Sequence, residues 1–204
     1  MNGWSVLLLG IGLGLRHATD ADHVVVVSAM LQREPGVWRA VRVAALWGAG
    51  HTAAFLALGL LIVLAEVRLP EAFEHVFEAL VAMMLIGFGL WHLARSRARA
   101  SRDATAVASS AYARPVLIGV VHGLAASAGI ALLAATTITS RALAATYLGL
   151  FGLGTIMGMV ALTLVIARPI GWTMRQGDGL RRAVTIFAAL LSIGLGAVIL
   201  FRAI

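Results

Sequence analysis

Cysteine is missing from the chain altogether. That excludes disulfides, thiolate metal sites and thiol redox chemistry in one step. Lysine is missing too, so all sixteen basic residues are arginine, which reads as a bias of base composition. Charged residues make up only 12% of the chain, where a soluble domain carries about a quarter. Neither a phosphate-binding glycine loop nor H-E-x-x-H occurs, so neither nucleotide hydrolysis nor zinc-protease chemistry is encoded. A serine hydrolase built on Ser127 and His122 fails on geometry, because five residues along one helix do not place the two face to face.

What is present is apolar. Of 204 residues 61% are hydrophobic, with mean hydropathy +0.96. Six segments are long enough to span a bilayer, roughly 4–31, 40–65, 76–94, 115–138, 143–167 and 182–203. Pro35-Gly36, Pro70, Pro115 and Pro169 fall at or near their ends. The first segment lacks the basic start and the small-residue cleavage site of a signal peptide, so it reads as a span. The expected fold class is an all-α membrane protein of six transmembrane helices.

Arginine placement gives an orientation. Arg33, Arg39 and Arg42 follow the first segment, five more fall around 95–114, and Arg168, Arg175, Arg181 and Arg182 follow the fifth. Those twelve share one side, against Arg68, Arg141 and Arg202 on the other. The positive-inside rule makes the twelve-arginine side cytoplasmic and puts both termini outside. The net charge of +7 is therefore topological, and no nucleic-acid partner is expected. The polar stretch "RSRARASRDATAVASSAYAR" (95–114) reads as a cytoplasmic linker touching anionic lipid.

The two halves resemble each other. "LGLRHATDADH" (13–23) aligns with "IGVVHGLAASA" (118–128), "WGAGHT" (47–52) with "FGLGTI" (151–156), and "IGFGL" (86–90) with "IGLGA" (193–197), at offsets of 105, 104 and 107. Three matches in order, one per span, predict repeats over 1–94 and 115–204. With three spans each, the second enters the membrane from the opposite side, the inverted plan of many secondary transporters.

The chemistry concentrates in "LRHATDADHV" (15–24), where Arg16, His17, Asp20, Asp22 and His23 interrupt an apolar span. A charge at that depth costs about 3 kcal/mol on insertion scales, so these groups must face a cavity, one another or an ion. On a regular helix His17, Asp20 and His23 form one stripe while Asp22 points elsewhere, and Arg16 and Asp20 are spaced for an ion pair. Gly10, Gly12 and Gly14 just before allow a local break. His51 and His122 lie inside other spans at a similar depth to His23, about 10–17 Å from the cytoplasmic face. Such a set predicts one metal site drawn from His17, Asp20, Asp22, His23, His51 and His122. Imidazole and carboxylate without thiolate suit Ni(II), Co(II), Zn(II) and Fe(II) better than Cu(I). His75 and His92, near span ends, are expected at the interfaces.

"RHATDADHV" closely resembles the signature of the nickel/cobalt transporter (NiCoT) family, including its shorter urease-accessory-type members. Gly50-His51-Thr52 matches the family's Gly-His-Ser/Thr motif, and "HGLAAS" (122–127) looks like the His-Gly-Leu segment of the short members. The resemblance covers all six spans. It departs in span number, since the larger members have eight, and at Gly154, where their Gly-Phe-Asp-Thr motif carries aspartate. It implies a multi-pass protein of the bacterial cytoplasmic membrane moving Ni²⁺ or Co²⁺. His17, Asp22, His23 and His51 would bind the ion, with Asp20 as ligand or partner. The ion is cargo, no catalytic cofactor or nucleotide is implied, and self-association into a homo-oligomer is compatible with this reading. The rival reading is a membrane metal-binding accessory or sensor protein that does not translocate.

Overall fold

The computed structural model describes residues 3–31, 36–66, 71–97, 112–124 and 135–203. Within them lie helices α1 (Gly3–His17), α2 (Ala21–Leu31), α3 (Val37–Ala65), α4 (Glu71–Arg97), α5 (Ala113–Gly123), α6 (Arg141–Arg175) and α7 (Asp178–Ala203), and no strand is present among the described residues. Four of them, α3, α4, α6 and α7, carry stretches long and apolar enough to cross a membrane. The 29 residues of α3 give a rod of about 44 Å. The chain is thus a helical, multi-pass membrane protein.

The first predicted span is two helices rather than one. Between α1 and α2 the amides of Thr19 and Asp20 bond three residues back, to the Arg16 and His17 carbonyls at 2.9 and 3.0 Å, and the Thr19 hydroxyl donates to the Arg16 carbonyl at 2.6 Å. The last turn of α1 is thereby tightened and closed. The Asp20 carbonyl then accepts from Val24 to start α2. The break falls after the glycine run, not within it. The fifth span extends beyond the expected boundary: α6 passes through Pro169 to Arg175, where the missing donor falls close to a helix end. Of the fourth span, α5 is described to Leu124, and much of the remainder, 125–134, lies outside the described residues, as does most of the 95–114 linker.

Packing is reciprocal. The most extensive contacts pair α4 with α7, α3 with α6, α1 with α6, and α5 with α3. Glycines set their closeness. Gly14 of α1 lies on the backbone of Phe151 and Thr155, and Gly119 of α5 lies on that of Trp47 and His51. Gly154 meets the Ile11 carbonyl, while Gly50 meets that of Val116. In the α4–α7 pair, Gly89 packs on Ala189 and Ile193, and Gly196 on Ala82 and Ile86. A side chain at any of these six glycines would meet neighbouring backbone, which is why small residues stand there. The Ser192 hydroxyl adds a 2.7 Å bond to the Leu85 carbonyl.

Two apolar clusters form the interior. One gathers Val26, Trp47, Leu85 and Met159; the other Phe55, Tyr147, Leu148 and Phe151. The histidines sit where the two meet.

Candidate metal centre

Four imidazoles from four helices converge. His17 ends α1, His23 lies in the first turn of α2, His51 is near the middle of α3, and His122 is near the end of α5. Their exposures are 6, 0, 1 and 0%. Ring centroids lie 4.6 Å apart for His17–His23 and for His23–His122, and 5.1 Å for His23–His51. Trp47 covers His23 at 5.4 Å and Phe151 covers His17 at 5.4 Å, so the cluster has apolar walls.

The local chain explains each placement. Closing α1 at His17 frees α2 to leave in a new direction, which turns His23 inward beside His17. It also turns Asp22 inward, whereas an unbroken helix would have it facing away. Asp20, expected to pair with Arg16, is instead 2.9 Å from His17 Nδ1, while Arg16 is exposed. His51 and His122 meet because Gly119 and Gly123 let α5 lie against the α3 backbone at Trp47 and His51.

The carboxylates decide which nitrogens are free. Asp20 accepts from His17 Nδ1–H at 2.9 Å, so His17 Nε2 carries a lone pair. Asp22 accepts from His23 Nδ1–H at 3.2 Å through Oδ1 and from His122 Nε2–H at 2.9 Å through Oδ2. That leaves His23 Nε2 and His122 Nδ1 as lone pairs, both buried and without a hydrogen-bond partner, as is His51 Nδ1. A buried polar atom without a partner costs about 1–3 kcal/mol. A bound cation would give such a nitrogen a partner.

The distances fit a metal. His17 Nε2 and His51 Nε2 are 3.3 Å apart, close to the edge of about 3.4 Å in a tetrahedron with ~2.1 Å metal–nitrogen bonds. Two groups each offer three ligand atoms within 4.8 Å of one another: His17, His23 and His51, and Asp22, His23 and His122. Asp20 stands behind His17 with its side chain 43% exposed, placed to orient that ring. All six predicted residues are thus brought together, five in the two groups and Asp20 behind them. On α4, His75 is exposed and His92 is buried. Ser127 lies outside the described residues.

Sequence reasoning missed Trp47 as the lid over His23, and it missed the glycine contacts. Their signal was legible: Gly119 and Gly123, like Gly10 and Gly14, have the G-x-x-x-G spacing of close helix pairs. The structure also accounts for Gly154, since a Cβ there would run into the Ile11 carbonyl. With α1 this close to α6, the aspartate of the larger transporters has no room.

Comparison with known proteins agrees with the motif. The chain is 31% identical over 183 residues to the urease accessory protein UreH of Bacillus sp. (strain TB-90), covering 84% of this chain and 80% of that one. No protein-family profile matches the chain, and no solved structure matches it.

Proposed function

This chain belongs to the nickel/cobalt transporter family as a short, urease-accessory-type member, and on that premise we propose that it carries Ni²⁺ or Co²⁺ across the bacterial cytoplasmic membrane. The observation that carries the reading is the buried meeting of four imidazoles, with lone pairs set by carboxylates, inside a bundle of apolar helices. A sensor site has no need to lie inside the bundle; an ion in transit does.

His17, His23 and His51 are the ligands of the ion in this reading, Asp22 and His122 take part beside them, and Asp20 orients His17. The reciprocal helix contacts support two inverted three-helix repeats, 1–94 and 115–204, joined by a cytoplasmic linker at 95–114. The arginine distribution supports termini outside. With no nucleotide motif, the drive is the membrane potential, worth about 4.6 kcal/mol for a divalent ion at 100 mV, or proton exchange.

The test is uptake into proteoliposomes holding only this chain, with Ni²⁺, Co²⁺, Zn²⁺, Fe²⁺ and Mn²⁺ compared at a fixed potential. Saturable Ni²⁺ or Co²⁺ flux that disappears in His23→Ala is expected. Tight binding without flux for any metal would favour the non-translocating accessory protein.

A further inference from the structure

The reciprocal packing has a local consequence at the histidines. Gly14 on Phe151 and Thr155 has its counterpart in Gly119 on Trp47 and His51; Gly154 on Ile11 has its counterpart in Gly50 on Val116. Each pair exchanges when one half of the chain is laid on the other. Counterpart helices α3 and α6 run antiparallel, since Gly48 meets Ile156 and Met159 while Gly152 meets Thr52. The relation is therefore a two-fold axis lying across the helices, in the plane of the membrane. Under the same offset His17 and His122 are mates. His23 lies between them, 4.6 Å from each ring, and His51 is nearly as balanced at 5.4 and 5.8 Å. The two three-ligand groups hold one of these mates each, His17 in one and His122 in the other, and share one residue, His23.

We propose that these groups are two successive stations for one ion, His17–His23–His51 and Asp22–His23–His122, and that His23 hands the ion from one to the other. The proposal rests on the transport reading above. The ring of His23 is built for the exchange. One nitrogen, Nδ1, faces Asp22, and the other, Nε2, is buried and unbonded. In the state seen here Asp22 is occupied by two N–H donors, while at the other station His23 Nε2 is unbonded and His17 Nε2 and His51 Nε2 share one hydrogen bond at 3.3 Å. Passage requires both protons to change nitrogen. On His23 the proton goes from Nδ1 to the Nε2 that the ion leaves; on His122 it goes from Nε2 to its unbonded Nδ1. Water entering with the ion takes each proton from one nitrogen and returns one to the other, so the net proton count is unchanged, and the Asp22 oxygens and one nitrogen of each ring become free for the ion. Because one imidazole serves both stations, they fill alternately. Because the repeats are inverted, a motion that opens one flank to one side has a mate that opens the other flank to the other side.

The experiment uses the full chain in detergent with Co²⁺ as a visible-absorption probe, calorimetry for stoichiometry, and the same variants in proteoliposomes. One ion per chain is expected. His51→Ala and His122→Ala should each still bind one ion, with affinity lowered about 10–100-fold. Their ligand-field spectra should differ from one another, each reporting the remaining station, and both should lose flux. His23→Ala should lose binding. His51→Gln and His122→Gln, closer in size, repeat the comparison should an alanine variant fail to fold. Two ions per chain would overturn the relay. So would an unchanged spectrum and flux in the His122 variants, or identical loss of binding in the His51 and His122 variants; each of these leaves metal transport standing. Absence of Co²⁺ and Ni²⁺ binding in the wild type would remove the transport reading itself.

Discussion

Gly119→Ala adds one methyl group to a residue that binds nothing, yet it should weaken metal binding at the proposed site. A Cβ at position 119 would lie 2.8 Å from the His51 amide nitrogen and 3.0 Å from the Trp47 carbonyl carbon, and nearer still to its oxygen. Ordinary contacts between such atoms run at about 3.5–4.0 Å. The neighbours are backbone and cannot rotate away, so α5 has to withdraw from α3 by on the order of 1 Å. His122 rides on α5 and His51 on α3, so the withdrawal separates them. Metal sites tolerate about ±0.2 Å in ligand distances, and a shift several times larger should lower Ni²⁺ affinity about 10–100-fold. Stability should fall by about 1–3 kcal/mol, the usual cost of overpacking. Gly12→Ala is the control. It has open space around its Cβ, and an alanine in a helix is favoured over glycine by up to about 1 kcal/mol. The assay is calorimetric Ni²⁺ titration of both variants with a thermal melt of each in detergent. Wild-type affinity in Gly119→Ala would refute the claim that the α3–α5 contact positions the site.

Asp22→Asn keeps size but supplies one carbonyl acceptor in place of two carboxylate oxygens, so it cannot accept from both His23 and His122; flux should fall at least about tenfold while membrane insertion, read by fractionation, is unchanged. Gly154→Asp, which restores the aspartate of the larger transporters, should lower the melting temperature because the α1–α6 contact at Ile11 has no space for it; a variant as stable as wild type would contradict the packing. Imidazole binds metal only in its neutral form, so Ni²⁺ affinity should decline as the pH falls and protons compete for the ring nitrogens. Calorimetry in buffers of different ionisation enthalpy counts the displaced protons, and pH-independent affinity would remove the histidines as ligands. Reporter fusions should place both termini outside and residue 105 inside; a cytoplasmic C-terminus would contradict the orientation drawn from the arginines, and termini on opposite sides would contradict six spans.

Much of the architecture is legible in the amino-acid sequence itself. Hydropathy over about 20 residues marks spans because the bilayer has a fixed thickness, and the four helices that meet that criterion coincide with four of the six apolar segments. Ionisable residues in an apolar span mark a site because their insertion is costly, and the six candidate metal residues all lie in or against one cluster. Of the glycines that align between the two halves, Gly14 and Gly119, Gly50 and Gly154, and Gly89 and Gly196 lie where one half packs on the other, whereas Gly87 and Gly194 have open space around them.

Direction in space is not legible in the same way. Helical periodicity sends Asp22 away from His17 and pairs Asp20 with Arg16, because periodicity assumes an unbroken helix. Closure of α1 by bonds three residues back, a short-range event of two or three residues, redirects everything after it. The exchange of partners between halves, α1 on α6 and α5 on α3, is equally out of reach, because a repeat in sequence says that two units are alike and not which surfaces meet. The sequence alone therefore determined which side chains must avoid lipid, through the cost of charge in hydrocarbon. Only the tertiary structure decided which nitrogen of His17, His23 and His122 is free and that His23 stands between its two neighbours, because a lone pair is set by the hydrogen bond on the ring's other side, and those bonds depend on the break between α1 and α2 and on the approach of α5 to Asp22.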